Sequence, residues 1–384
     1  MHLLALATLL PLALTAPVLQ PRGVQLIPDS YIVKFKDGAT DSRVTDTLSG
    51  LKSSVVTKHI YRSKLFKGFA AKLSAKDVEI LKKLPEVDYI EQDGIVRITE
   101  YVTQSNVPWG LARISHRTTG ATSYVYDASA GAGTCSYVID TGIYVNHTQF
   151  AGRATWLANF AGDGKDSDGN GHGTHVAGTI GGTDYGVAKK TLLYAVKVLD
   201  SGGSGSISGV IAGINYVTTD SATRNCPNGT VANMSLGGGK STAINSAAAA
   251  AIKAGVFLAV AAGNSDDDAA FYSPASEPTV CTVGATDNTD TRAYFSNYGT
   301  LVDIFAPGVD VLSSWIGGTN ATNTISGTSM ATPHITGLGA YLLGLLGKKA
   351  PQALCQYLKD TATANVITDV PTGTINALAF NGVE

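Results

Sequence analysis

Between residues 136 and 305 of this 384-residue chain, six short apolar runs alternate with stretches of helical spacing. The runs lie at 136–139, 192–199, 231–236, 256–261, 280–284 and 302–305. In the fourth, Val256-Phe257-Leu258-Ala259-Val260-Ala261, neither parity carries a polar residue. A strand of that kind has no face to give to water, so it belongs inside a parallel sheet covered on both sides. Apolar residues at helical spacing recur at 174–180, 207–217, 242–253 and 329–346. Strand and helix in alternation make a three-layer αβα fold with a mostly parallel central sheet, in which ligands sit at the carboxyl ends of the strands.

That pattern does not extend to the leading part of the chain. Residues 17–101 carry a net charge of +3 and no Cys or Trp, whereas 102–384 carry −5, all four Cys and all three Trp. The length also exceeds what one small core organises, so two folding units are expected, divided at 101/102. The first reads as a small α+β domain with strands at 31–35, 68–73 and 87–98. A helix over 77–84 carries Val78, Leu81 and Leu84 on one face and is stopped by Pro85. Hydrophobic residues at 44% and charged residues at 15% exclude a disordered chain, and a net charge of −2 gives no electrostatic footprint for nucleic acid. Beyond the N-terminus no apolar run is long enough to span a membrane.

Residues 1–16 are nearly all apolar and end in small residues, as a secretory signal peptide does. Cys135, Cys226, Cys281 and Cys355 form an even set without a Cys-x-x-Cys pair. Behind a signal peptide they read as two disulfides, for which three pairings are open. Sequons at Asn146, Asn228, Asn233 and Asn320 agree with a secreted destination, although Asn233 lies inside an apolar run.

Three motifs carry the chemistry. Val138-Ile139-Asp140-Thr141-Gly142 ends a strand, Gly171-His172-Gly173-Thr174-His175 opens a helix, and Gly327-Thr328-Ser329-Met330-Ala331-Thr332-Pro333 opens the longest helix. A serine hydroxyl is a weak nucleophile near neutral pH and needs a base, and an imidazole base needs an anion to fix its tautomer. Asp, His and Ser in this chain order, with these flanking residues, resemble the subtilisin-like serine proteases, and among them the secreted fungal proteinase-K-like branch. The resemblance runs from Pro108-Trp109-Gly110-Leu111 to Asn376.

The resemblance implies a subtilisin-like fold behind a ferredoxin-like propeptide. It implies that Ser329 is the nucleophile, His172 the base and acid, and Asp140 the orienting carboxylate. Asn264, in Ala261-Ala262-Gly263-Asn264, would supply the oxyanion donor together with the Ser329 N–H. Gly203-Ser204-Gly205 and Ser235-Leu236-Gly237 would flank a substrate backbone as two strand edges. Ala261 and Gly263 would leave an apolar pocket favouring aromatic or aliphatic residues before the cut. Protein substrates and the chain's own propeptide, as folding aid and inhibitor, are the implied partners, and nothing calls for an oligomer. Self-cleavage would fall after Tyr101, leaving Val102 as the new start. Asp303 with Pro278 and Val280 would hold one structural calcium ion, whereas Arg117 and Val366 replace the oxygens of a second site. The implied disulfides are Cys135–Cys226 and Cys281–Cys355. His175 and His334 read as structural, and Asp266-Asp267-Asp268 as a solvated loop.

Three other readings compete. Asp140-Thr141-Gly142 and Asp200-Ser201-Gly202 both fit an aspartic-protease signature, but helices between them belong to the wrong fold. A catalytically inactive relative serving as a binding module would have lost a motif residue, and none is lost. A lipase would need a Gly-x-Ser-x-Gly elbow, and the nearest match, at Gly203-Ser204-Gly205, falls in a loop.

Overall fold

A computed structural model describes residues 15–21, 24–51, 55–96 and 100–383. The expected leader falls outside these residues apart from Thr15 and Ala16. The chain divides into two compact units, 1–98 and 99–384.

The first unit runs β1 (Val18–Leu19), β2 (Gln25–Phe35), α1 (Asp41–Gly50), β3 (Val56–Ser63), β4 (Phe66–Lys72), α2 (Ala75–Leu81) and β5 (Val87–Ile95). Its sheet has the order β1-β5-β2-β4-β3, and from β5 to β3 every pair is antiparallel. The βαββαβ succession from β2 to β5 is the ferredoxin-like pattern. Val33, Phe35, Phe69, Leu81 and Ile90 fill its core. Ala16 joins that core, 6% exposed, and its N–H donates to the Lys82 carbonyl at 2.9 Å. Helix α2 starts two residues before the expected 77 because Ser74 and Asp77 cap it reciprocally, and it ends at Leu81, short of Pro85.

The second unit begins with β6 (Tyr101–Ser105), α3 (Trp109–Ile114), β7 (Ser123–Asp127), β8 (Thr134–Asp140), β9 (Ala154–Asn159), α4 (His172–Gly181) and β10 (Leu192–Lys197). It continues through α5 (Ile207–Thr223), β11 (Gly229–Met234), β12 (Gly238–Gly239), α6 (Thr242–Lys253), β13 (Val256–Ala261), β14 (Tyr272–Ser273) and β15 (Cys281–Thr286). The last elements are β16 (Ile304–Pro307), β17 (Val311–Ser314), β18 (Thr322–Ile325), α7 (Thr328–Leu346), α8 (Pro351–Thr361), β19 (Thr363–Ala364) and β20 (Ala377–Leu378). Nine strands form one sheet in the order β19-β20-β16-β15-β13-β11-β8-β10-β9, parallel except for the β19–β20 pair.

The uninterrupted apolar runs follow from this layering. In β13, Phe257 and Ala259 face the core built with Ile335, Leu338 and Tyr341 of α7, while Leu258 and Val260 face Val210, Ile214 and Ala248 of α5 and α6. Both parities are therefore buried, and alternation disappears from the sequence. Chain order reverses beside β8, with β10 and β9 on one side and β11 and β13 on the other. The crevice at the carboxyl ends of these strands is where such a fold takes a ligand.

Candidate active site

Strand β8 is buried along its whole length and ends at Asp140, which is 0% exposed. One oxygen of that carboxylate, Oδ1, accepts the Thr141 N–H at 2.7 Å and the His172 Nδ1–H at 2.8 Å. His172 opens α4. Gly171 before it has φ of +102°, and a Cβ there would lie 2.6 Å from the Trp315 ring, so only glycine admits the chain to the helix at this point.

The start of α4 is organised by a residue to which sequence reading assigned no role, Asp168. Its Oδ1 accepts from Thr141 Oγ1 at 2.9 Å, Asn170 N at 3.0 Å and Gly171 N at 2.8 Å. Its Oδ2 accepts from Thr174 N at 3.0 Å and Thr174 Oγ1 at 2.6 Å. Asp168 thus takes the Gly171 and Thr174 N–H groups at the start of α4, Asn170 Oδ1 and Thr141 Oγ1 take those of His172 and Gly173, and the Thr141 hydroxyl ties the set to the tip of β8. Asp168 lies three positions before the N-cap Gly171, outside the place of a capping side chain, so no local capping signal pointed to it.

Burial opposes a charge on His172, but the adjacent Asp140, by its charge and hydrogen bond, and the charge of Asp168 outweigh it. The imidazole pKa is raised above its usual value. With 24% of its side chain still accessible, the ring's other nitrogen is left for a partner in the cleft.

Ser329 is the second residue of α7, where backbone N–H groups lack acceptors within the helix and the helix dipole is positive. Its Oγ donates to the Ser235 carbonyl at 3.1 Å, and Ser235 Oγ donates back to the Ser329 carbonyl at 2.7 Å. Asn264 follows β13 and is exposed. Its Oδ1 accepts from both the N–H and the hydroxyl of Thr328 at 2.8 Å, which fixes the amide plane and frees Nδ2. Asn264 and Ser329 line one cavity of about 200 Å3 with Ala261 and Gly263, and among the described residues no Asp, Glu, Lys or Arg lines it. A second cavity, about 440 Å3, shares Leu236 and Gly237 with the first and holds His172, Gly203, Ser204, Gly205 and Ser235. Its wall is apolar, formed by Leu199, Ile207, Val210 and Ile244. Every expected substrate-contact residue therefore lines one of two adjoining cavities.

His175 Nε2 bonds the Val311 carbonyl at 2.9 Å and His334 Nδ1 the Met330 carbonyl at 2.9 Å, both rings buried away from the cleft. Asp200 accepts from Gly202 N and Ser204 N in its own turn, so it is no partner for Asp140. The run 266–268 is more ordered than a solvated loop: Asp266 pairs with Arg292 at 2.8 Å, Tyr272 donates to Asp267, and Asp268 caps Ala270. Cys135–Cys226 and Cys281–Cys355 are bonded, with Cα separations of 5.6 and 5.8 Å. Asn146 and Asn320 are exposed. Asn228 is half-buried and donates to the Ala132 carbonyl, and Asn233 is 0% exposed, its amide bonded to Ser235 and Thr336. Pro278, Val280 and Asp303 do line one small cavity, but Lys359, unremarked in the sequence, lines it with them.

Comparison with known proteins returns the same two units. Residues 131–379 match the subtilase family model, and residues 30–99 match the peptidase inhibitor I9 model. The chain is 58% identical over its whole length to a subtilisin-like serine protease of Sarocladium strictum, covering 99% of that protein. It is 55% identical to a cuticle-degrading protease of Metarhizium anisopliae, with both chains covered completely. Among solved structures, a cold-adapted subtilisin-like serine proteinase matches 72% of this chain and 99% of its own, at 46% identity and a TM-score of 0.68.

Proposed function

The chain belongs to the subtilase family and is a serine endopeptidase with an I9-type propeptide, and from that premise we propose that it is a secreted zymogen cutting proteins through Ser329. The observation that carries the assignment of roles is the 2.8 Å bond from His172 Nδ1 to Asp140 at the mouth of the cleft that Ser329 and Asn264 also line. In this reading Ser329 Oγ leaves the Ser235 carbonyl, turns to His172 Nε2 and loses its proton there as it attacks the substrate carbonyl carbon. Asp140 holds the ring in the Nδ1–H tautomer and stabilises the imidazolium that forms. The oxyanion is taken by Asn264 Nδ2 and the Ser329 N–H, at the positive end of α7. His172 Nε2–H then protonates the leaving amine, and a water activated by the same nitrogen releases the acyl group.

The edges Gly203–Gly205 and Ser235–Gly237 would pair with substrate main chain, which gives broad specificity. The uncharged walls beside Ala261 and Gly263 favour an aromatic or aliphatic residue before the cut. Protein substrates are then bound one at a time by a monomer. Asn146 and Asn320 are the sequons open to a glycan. The leader of residues 1–16 ends beside the first unit's core, in which Ala16 packs. For propeptide removal between Tyr101 and Val102 at Ser329, the β6–β7 pairing must be open. Tyr341, which accepts the Asp127 N–H of β7, lies 12 residues along α7 from Ser329, about 18 Å at 1.5 Å per residue.

The test uses a sulfonyl fluoride, which esterifies an activated serine. The reading expects full inactivation with label on the peptide holding Ser329, and no label or proteolysis in Ser329→Ala. Label elsewhere, or proteolysis surviving in that variant, overturns it. The intact mass of the secreted products tests maturation: the active chain should start at Val102 and Ser329→Ala should keep its first unit.

A further inference from the structure

The cavity expected to hold calcium contains a cation belonging to the chain itself. Asp303 lies just ahead of β16, and its carboxylate is clamped to β15. Oδ2 accepts the Thr282 N–H at 3.0 Å, while the Asp303 N–H donates to the Thr282 carbonyl at 2.9 Å. The remaining oxygen, Oδ1, accepts from Lys359 Nζ at 2.9 Å. Both side chains are about three-quarters buried, at 26% exposure for Lys359 and 23% for Asp303. Lys359 sits in the last turn of α8, one turn beyond Cys355, whose disulfide to Cys281 fastens that helix to the start of β15. The ammonium is therefore held over the carboxylate by a covalent anchor four residues away, on the same helix face.

These residues do not fit a calcium ion. Calcium takes six to eight oxygens and is drawn by negative charge. The cavity, about 150 Å3, is lined by Pro278, Thr279, Val280, Asp303, Gln352, Cys355, Gln356 and Lys359, so among the described residues Asp303 is its one carboxylate. That charge is already matched by Lys359, and one oxygen is already committed to a backbone N–H. A divalent ion would have to enter a neutral pair and sit beside an ammonium in a partly buried site, where like charges repel strongly. Pro278 and Val280 could offer only carbonyl oxygens.

We propose that the Lys359 ammonium is the resident cation of this cavity, joining α8 to the sheet where calcium would otherwise stand, so that the chain needs no calcium at Asp303.

The test compares four proteins in a Ser329→Ala background, which removes self-digestion: the parent, Lys359→Ala, Asp303→Asn and the double variant. Each is titrated with calcium calorimetrically, and its unfolding temperature is read in chelator and in calcium. The parent should respond to calcium no more than Asp303→Asn does. Lys359→Ala should gain a binding event, with a rise of about 5 °C at calcium roughly a hundredfold above its Kd, and the double variant should lose it. A calcium response in the parent that Asp303→Asn abolishes overturns the proposal. So does a Lys359→Ala protein that acquires none. If Lys359→Ala fails to accumulate, Lys359→Met keeps the packing stem without the charge, and the same comparison stands.

Discussion

Acidification should loosen the second unit through two histidines that never touch substrate. His334 is 1% exposed inside α7, and its Nδ1–H donates to the Met330 carbonyl at 2.9 Å. Gly110 and Pro307 lie on the side of Nε2. His175 is 0% exposed and bonds the Val311 carbonyl. Burial pushes each pKa down from 6.5 to about 4. Between those values the unfolded chain binds protons that the folded one refuses, so stability is full above pH 6.5 and falls toward pH 4. From pH 7 to pH 5 each ring removes about 2 kcal/mol, a large part of the 5–15 kcal/mol of a typical domain. The assay is guanidinium unfolding of Ser329→Ala followed by tryptophan fluorescence, since Trp109, Trp156 and Trp315 all lie in the second unit. Adding His334→Gln keeps a donor for Met330 and deletes the titration. Stability lost between pH 7 and 5 should shrink by about 2 kcal/mol, because every other titrating group is common to both proteins. Equal losses with and without His334 would mean that this ring is not held neutral.

Three more outcomes follow from the site. Asn264→Ala removes a donor whose orientation Thr328 fixes, so kcat should fall about 100- to 1000-fold with KM little changed; a loss confined to KM would place Asn264 outside oxyanion stabilisation. Asp168→Asn removes one of two charges that raise His172, so the acid limb of kcat/KM should move to lower pH, and an unmoved limb refutes that coupling. Replacing Cys281 and Cys355 together by serine opens a loop spanning 74 positions and should cost about 4 kcal/mol, measured by the tryptophan unfolding midpoint; a change under about 1 kcal/mol would show the loop constrained by other contacts.

What the sequence disclosed depended on whether one stretch of chain held the whole signal. Strand β13 and helix α6 stand at 256–261 and 242–253, as read, because their apolar patterns are complete in themselves. In the first unit, β3 is a polar edge strand with no buried residue and α1 buries only Val44, so neither carried a periodicity to find. Helix α5 runs six residues beyond the expected 217 through Thr, Asp and Ser, held by side chains bonding back to carbonyls and by the Asp220–Arg224 pair. Helix α8 had a signature, Pro351 at its first position with Leu354, Cys355 and Leu358 on one face, that went unread. At the site the three motifs were legible because each is contiguous. The partners of Asp168 and Lys359 were not, since Thr141 is 27 and Asp303 is 56 positions away.

The three residues assigned to catalysis share a mounting on the ends of regular elements. None hangs on a free loop: Asp140 ends β8, His172 opens α4 and Ser329 opens α7. Positions on rigid element ends can be held within the tolerance that acyl transfer demands, provided the ends themselves are fixed to one another. The sheet register supplies that fixing. Lys197 stands opposite Asp140 on β10, and its fully buried ammonium donates to the Thr141 and Leu199 carbonyls and pairs with Asp163 at 3.3 Å. The Asn159 side chain, with Lys197 and the Lys165 N–H, holds the Asp163 carboxyl down to about 2 against partial burial, so that carboxylate stays charged throughout the working range of a histidine base. A lone lysine in the run Leu192-Leu193-Tyr194-Ala195-Val196-Lys197 is costly to bury, and here its charge pins the backbone immediately after Asp140. Asp168 does the same from the other side through the Thr141 hydroxyl. The tip of β8 is thus gripped through Thr141, its carbonyl held by a cation and its hydroxyl by an anion, and Asp140 shares its Oδ1 between the Thr141 N–H and His172.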